Sequence, residues 1–342
     1  MTRNNYRSGN VDLARFIGSI MIMLHHLFNF EICTKYGLWS SCIYVEFFLM
    51  ITGYYTAKHF DGMNSKNSMK SSVIYTYGKF IVYLPYVILA NLIAYAGYIW
   101  GYHENVRETV LYVMDNFIFD IFLISEPMTP PKIFSLWYLS AMLIVFPLFA
   151  WFVQLKNRYW ILTISFMFPL IYYGKYLAPE TWSTIVVLLR VLAGMCFGSL
   201  IYECTYVFSE YLQKINKLLL TIVELVTFLF VIVVSKGTYS IRLDIFCFIV
   251  CLAIMLPNLS YTSKIKGKIF TYLGRLSMPM YIFHWVVAEI ITLCRRYHRF
   301  SDNKELLLYF AGTVVLSILY MYIVDHCKWL QNIINKPIYL RD

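Results

Sequence analysis

Charge is what this 342-residue sequence has least of: 14% of its residues are Asp, Glu, Lys or Arg, against about 25% in ordinary soluble domains. Apolar and aromatic residues make up 60% of it, more than a soluble domain of that length can hide. Apolar runs of about 18 or more residues recur, each long enough to cross a hydrocarbon core of about 30 Å, and they predict an all-α polytopic membrane protein. Soluble enzymes, DNA-binding domains and secreted disulfide scaffolds are thereby excluded. Paired cysteines are missing as well. The eight cysteines (Cys33, Cys42, Cys196, Cys204, Cys247, Cys251, Cys294 and Cys327) are scattered, with neither a CxxC pair nor zinc-ligand spacing. No metal is expected, and they read as small buried hydrophobes. Internal repeats, low-complexity tracts and a separate soluble domain are absent too, so residues 1–342 read as one integral-membrane domain. A cleavable signal is not expected, because the first apolar run carries Arg15, His25 and His26 and lacks a small-residue cleavage site.

Spans of roughly 20 residues fall near 11–30, 40–59, 71–100, 133–153, 159–175, 182–206, 217–235, 240–257, 268–294 and 304–326. Ten is an even number, which puts both termini on one side. With the termini cytoplasmic, the inner segments carry 17 of the 29 basic residues and the outer segments ten, leaving Arg15 and Arg190 within the membrane. That bias follows the positive-inside rule, opposed locally by Arg295, Arg296 and Arg299, and predicts a cell-membrane protein. The net charge of +10 is read as topology and attraction to anionic lipid, with no nucleic-acid partner. The 30 tyrosines and 8 tryptophans suit helix ends among lipid headgroups. Between His103 and Lys132, residues such as Val110, Met114, Phe117 and Ile121 recur at helical spacing, interrupted by Glu108, Asp115 and Asp120. This segment is expected to be an interfacial or re-entrant helix on the outer side; an eleventh span there would invert everything after it. Pro127, Pro130 and Pro131 then break the chain before the fourth span.

An ionisable group at membrane depth costs about 2.5–3.5 kcal/mol on insertion scales, which makes each one a candidate site residue. Arg15 and His26 are 11 residues apart, about three full turns, and share one stripe of the first helix, while His25 points away from it. Glu46 enters the second helix at a depth similar to that of His26. A carboxylate bonded to one imidazole nitrogen would fix the tautomer and leave the other nitrogen free to take a proton. Arg190, Trp137 and His284 fall at comparable depth in later helices. Each has a structural alternative: a histidine bonded to a carbonyl, a snorkelling arginine, an interfacial tryptophan anchor. Gly194-Met-Cys-Phe-Gly198 is a close-packing GxxxG pattern.

Five stretches taken in order carry a family likeness. Val11-Asp12-Leu13-Ala14-Arg15 with His26 resembles the opening of the acyltransferase 3 family. Glu46 through Tyr54 is similar to its second-helix FF-x-x-SG segment, with Thr52 in place of serine. Leu136-Trp137-Tyr138-Leu139 resembles its LWFL element, and Arg190 to Gly198 its Arg-then-Gly helix. Leu273-Gly274-Arg275-Leu276-Ser277 through Tyr281-Ile282-Phe283-His284 resembles its LG-x-x-S and Y-x-x-H segments. The family's arginine pair before a proline is reduced here to Lys79, with Val82 in the second place before Pro85.

The resemblance implies an integral-membrane enzyme that moves an acyl group, commonly acetyl from acetyl-CoA, to a hydroxyl of a cell-surface glycan or lipid-linked sugar. It implies His26 as the catalytic residue with Arg15 also required. Because a thioester is already activated, the enzyme has chiefly to make an alcohol nucleophilic and hold an oxyanion. On that reading His26 is the general base and Glu46 orients it. Arg15, Lys79, Lys70 and Lys66 meet the donor's anionic end, and Trp137, Arg190 and His284 line the acceptor side. Succinyl transfer is the alternative within the enzyme class. A multi-pass exporter of glycan or lipid is the alternative outside it, since carriers also need intramembrane Arg, Glu and His.

Overall fold

The computed structural model describes residues 8–27, 39–63, 68–101, 106–125, 131–175, 183–234, 241–295 and 301–335. Of the residues invoked above, Cys33, Lys66, His103, Pro127, Pro130, Arg296 and Arg299 lie outside that set. Among the described residues every regular element is a helix. In order they are α1 (Gly9–His26), α2 (Tyr44–Phe60), α3 (Ser68–Gly101), α4 (Val106–Ile121), α5 (Trp137–Phe152), α6 (Arg158–Lys175) and α7 (Thr184–Val207). There follow a single turn α8 (Ser209–Leu212), α9 (Lys217–Val234), α10 (Ile241–Met255), α11 (Lys268–Cys294), α12 (Asp302–His326) and a short α13 (Lys328–Asn335). Short 3-10 turns at Trp39–Ile43 and Phe134–Leu136 lead into α2 and α5.

Each of the ten segments read as a span contains one long helix. Six segments combine the length and hydropathy needed to cross a membrane: Ser68–Gly101, Phe134–Phe152, Thr184–Val207, Lys217–Val234, Lys268–Cys294 and Asp302–His326. The other four fall short for visible reasons. At 17 and 15 residues, α2 and α10 rise roughly 22–26 Å at 1.5 Å per residue. Asp12, Arg15 and two histidines dilute α1, and α6 carries Arg158, Lys175 and several hydroxyl residues. The outward faces are those of a membrane protein, with Leu229, Val233, Leu307, Val315 and Leu319 all exposed. Such apolar surface would be unfavourable against water and is natural against lipid.

The expected amphipathic helix is present as α4, with one polar stripe turned inward while Glu108 and Asp115 stay exposed. Thr109, Asn116 and Asp120 are buried against the protein, whereas Val110, Leu111, Met114 and Ile118 are exposed. The Tyr95 hydroxyl of α3 donates to Asp120 at 2.7 Å, and the Lys132 backbone N–H donates to the same carboxylate oxygen at 3.0 Å.

Two helix pairs frame the interior. The first is α2 on α7, where small residues bring backbones together: a Cβ at Gly53 would overlap the Met195 carbonyl, and one at Gly198 the Met50 carbonyl. That is the close packing which the Gly194–Gly198 pattern predicts. The second is α1 on α11. The Ser19 hydroxyl, between Arg15 and His26 on the stripe, donates to the Ser277 carbonyl at 2.8 Å, and Gly274 lies against the Asp12 side chain. The stripe of α1 therefore faces protein.

Candidate active site

A cavity of about 520 Å³ opens between α1, α2, α3, α5, α11 and α12, within the roughly 300–1,000 Å³ typical of small-molecule sites. Its wall includes Arg15, Thr52, Lys79, Tyr138, Arg275 and Tyr281. Arg15 is 26% exposed and has its guanidinium 3.8 Å from Asp12, one turn earlier. The Lys79 ammonium sits 5.1 Å over the Tyr75 ring. On α3, Tyr75, Lys79, Val82 and Tyr86 all reach the wall, as residues three to four apart must when a helix presents one stripe. Lys70 does not belong to that stripe. Nine residues separate it from Lys79, about two and a half turns, so it lies on the opposite face, is exposed, and has no place on the cavity wall. Arg275, which the sequence offered only as part of a motif, donates two hydrogen bonds to the Asp325 carboxylate at 2.5 and 2.7 Å.

The ionisable groups expected at one depth fall into two sets. One lies between α1 and α11. His26 is buried, and its ring stacks on His284 with centroids 5.1 Å apart and planes at 26°. Trp285 meets His26 edge-on at 5.2 Å, and His25 does so at 5.1 Å. The Nδ1 of His26 is buried and has no hydrogen-bond partner among the described residues.

The other set lies between α2, α7 and α5. Arg190 donates from Nε to Glu46 at 2.5 Å, and its guanidinium lies 5.3 Å over the Trp137 ring. Glu46 is fully buried. This corrects the expectation that Glu46 orients His26: the carboxylate is committed to an arginine. Like depth along two helices does not imply that their side chains face each other, and a buried carboxylate is stabilised most by a cation it can hydrogen-bond. In place of a carboxylate, His26 has a second imidazole and an indole beside it.

Aromatic contacts join the two sets through the cavity wall. Trp137 neighbours Tyr138 at 6.3 Å, Tyr138 meets Tyr281 at 5.6 Å, and Tyr281 meets His284 at 5.9 Å. The cavity thus ends at two tyrosines, one ring away from His284 and two from His26. Beyond the histidines, Trp285 donates its indole N–H to Glu289 at 3.3 Å, and Lys132 pairs with the same carboxylate oxygen at 3.1 Å. The sequence reading missed Tyr138, Tyr281 and Trp285 as site residues. The available signal was adjacency, since Tyr281 and Trp285 stand three before and one after His284, and helical residues three or four apart share a face.

A buried imidazole separated from a basic, aromatic cavity by a tyrosine and a second imidazole is the kind of group that takes a proton from an alcohol beside an activated acyl donor. Comparison with curated proteins gives no match, and comparison with solved structures gives none. A family model described as an acyltransferase domain, however, matches residues 8–324, which take in His26, Glu46, Arg190, His284 and nearly all of the cavity wall; on that coverage the chain belongs to the acyltransferase 3 family and is a membrane acyltransferase.

Proposed function

We propose that this protein is an O-acyltransferase that takes acetyl from cytoplasmic acetyl-CoA and delivers it to a hydroxyl of a surface glycan: an exopolysaccharide, a lipopolysaccharide or a lipid-linked sugar. The observation that carries the reading is the cavity with Arg15 and Lys79 on its wall, Arg15 sharing one stripe of α1 with buried His26. Arg15 and Lys79 suit the anionic groups of a CoA thioester, and the tyrosines between them suit its uncharged arm. His26 is the general base that removes the acceptor's proton. Arg190 and Trp137 form the acceptor side, held by Glu46, whose role is to fix the guanidinium over the indole. His284 belongs to the acceptor side as well.

The accompanying topology is ten crossings of the cell membrane with both termini cytoplasmic, and α4 at the outer interface with its apolar side in lipid. The basic mouth of the cavity then faces the compartment that holds acyl-CoA. What supports it is the excess of basic residues on that side and the outward apolar face of α4.

The test supplies membranes carrying the full chain with radiolabelled acetyl-CoA, and in parallel succinyl-CoA, and follows label into glycan. Label is expected from acetyl-CoA, and His26→Ala is expected to lower the rate by about 10²–10⁴-fold, the usual contribution of a positioned acid–base group. Transfer at an undiminished rate in the His26→Ala protein refutes the assignment.

A further inference from the structure

His284 is wholly buried, and its two nitrogens are in different situations. Nδ1 lies 3.2 Å from the carbonyl oxygen of Met280, one turn earlier on α11. A carbonyl oxygen only accepts hydrogen bonds, so Nδ1 carries the proton and Nε2 of the neutral ring presents a lone pair. That lone pair is buried and meets no donor among the described residues. Buried polar atoms in folded proteins nearly always have partners, so an acceptor left open calls for an explanation.

The donors around it are already engaged. The Tyr281 hydroxyl donates to the Ser135 carbonyl at 2.5 Å, and the Trp285 indole N–H donates to Glu289. The ring stacked on His284 is His26, whose own Nδ1 is likewise buried and open. Two neighbouring imidazoles therefore each keep a nitrogen that no described residue satisfies, at the place where the reading above puts the acceptor alcohol. The acyl end of a thioester carries no N–H or O–H. The group that brings donors to this point is the acceptor, and two open nitrogens ask for two hydroxyls.

We infer that His284 is a specificity-determining residue: its Nε2 accepts a hydrogen bond from a hydroxyl adjacent to the one His26 deprotonates, so that the acceptor is a vicinal diol of the kind a sugar ring carries, in preference to an isolated alcohol. The inference rests on the assignment of His26 as the base, and its test separates the two.

The full chain in detergent micelles is assayed with radiolabelled acetyl-CoA and two probes that differ by one hydroxyl, trans-1,2-cyclohexanediol and cyclohexanol. The wild type is expected to favour the diol in kcat/KM by about tenfold, the effect of one additional hydrogen bond. His284→Phe is expected to remove that preference, lowering kcat/KM for the diol about tenfold more than for cyclohexanol. His284→Gln, whose amide oxygen can stand in for Nε2, keeps part of the preference and supplies the measurement if the phenylalanine variant does not fold. Size-exclusion profiles set the comparison at equal folded protein. A wild type that uses neither probe or both alike, or a His284 variant that loses equally on both, overturns the inference. Failure of the parent assignment looks different: it is transfer that survives His26→Ala.

Discussion

Replacing Glu46 by alanine is expected to strand the Arg190 guanidinium inside the bundle. The carboxylate is fully buried and the arginine side chain 19% exposed, with Nε and Oε1 2.5 Å apart. Removing one partner of such a pair costs about 3–5 kcal/mol, because the surviving charge keeps its desolvation penalty without its counter-ion. Two features place the cost toward the lower end of that range. Arg190 retains the Trp137 face at 5.3 Å, worth about 0.5–2 kcal/mol, and its partial exposure gives water some access. The expected loss for Glu46→Ala is therefore about 3 kcal/mol. Glu46→Gln keeps an acceptor for the Nε proton and is expected to lose less. The double variant Glu46→Leu/Arg190→Met removes both charges and is expected to recover most of the stability, since apolar pairs of like volume replace buried ion pairs at little cost. Thermal retention of the monodisperse size-exclusion peak, read for the two single variants and the double, gives the coupling directly. If the double variant is no more stable than Glu46→Ala alone, the pairing described between α2 and α7 does not hold in the folded protein.

Two further predictions concern packing and protonation. Gly198→Ala forces a methyl into the Met50 carbonyl and is expected to cost at least about 1–3 kcal/mol, because the obstacle is backbone and cannot swing aside. Gly174→Ala, where a Cβ would meet only open space, serves as the stable control in the same melts. Burial holds the Asp120 carboxyl above the ordinary carboxylate range, with the hydrogen bonds from Tyr95 and the Lys132 backbone opposing that rise. Between the ordinary value and the raised one the folded state binds more protons than the unfolded, so stability is expected to fall as pH rises through that window. Asp120→Asn should flatten that slope, and an unchanged slope in melts across the window would contradict the assignment.

Most of the helical architecture was legible because it depends on quantities a sequence carries directly. Apolar run length locates helices: all ten expected segments coincide with long helices, with bounds differing by a few residues. The Arg15–His26 stripe was legible for a similar reason, since 11 residues close on three turns; Arg15 reaches the cavity wall and His26 stacks on α11. The partner across the interface was not. Depth along each helix grouped His26, Glu46, Arg190, Trp137 and His284 together, and the structure divides them. Whether Glu46 meets an imidazole or a guanidinium depends on which helix lies opposite, and that is a property of the packed bundle. Lys70 shows the converse: its displacement from Lys79 by half a turn beyond two full ones was readable from spacing alone. The inward polar side of α4 follows from its solvent, because a period of 3.6 residues marks two faces and is silent about which meets lipid and which meets protein.

The contact of α2 with α7 has a mechanical consequence. Where main chains touch with no side chain between them, neither helix can slide or roll without collision, so this pair behaves as a fixed jaw. The opposite wall of the cavity includes long tyrosine, methionine and arginine side chains on α3 and α11, which can change rotamer without moving a backbone. Whatever opening a bulky substrate demands will come from that softer side.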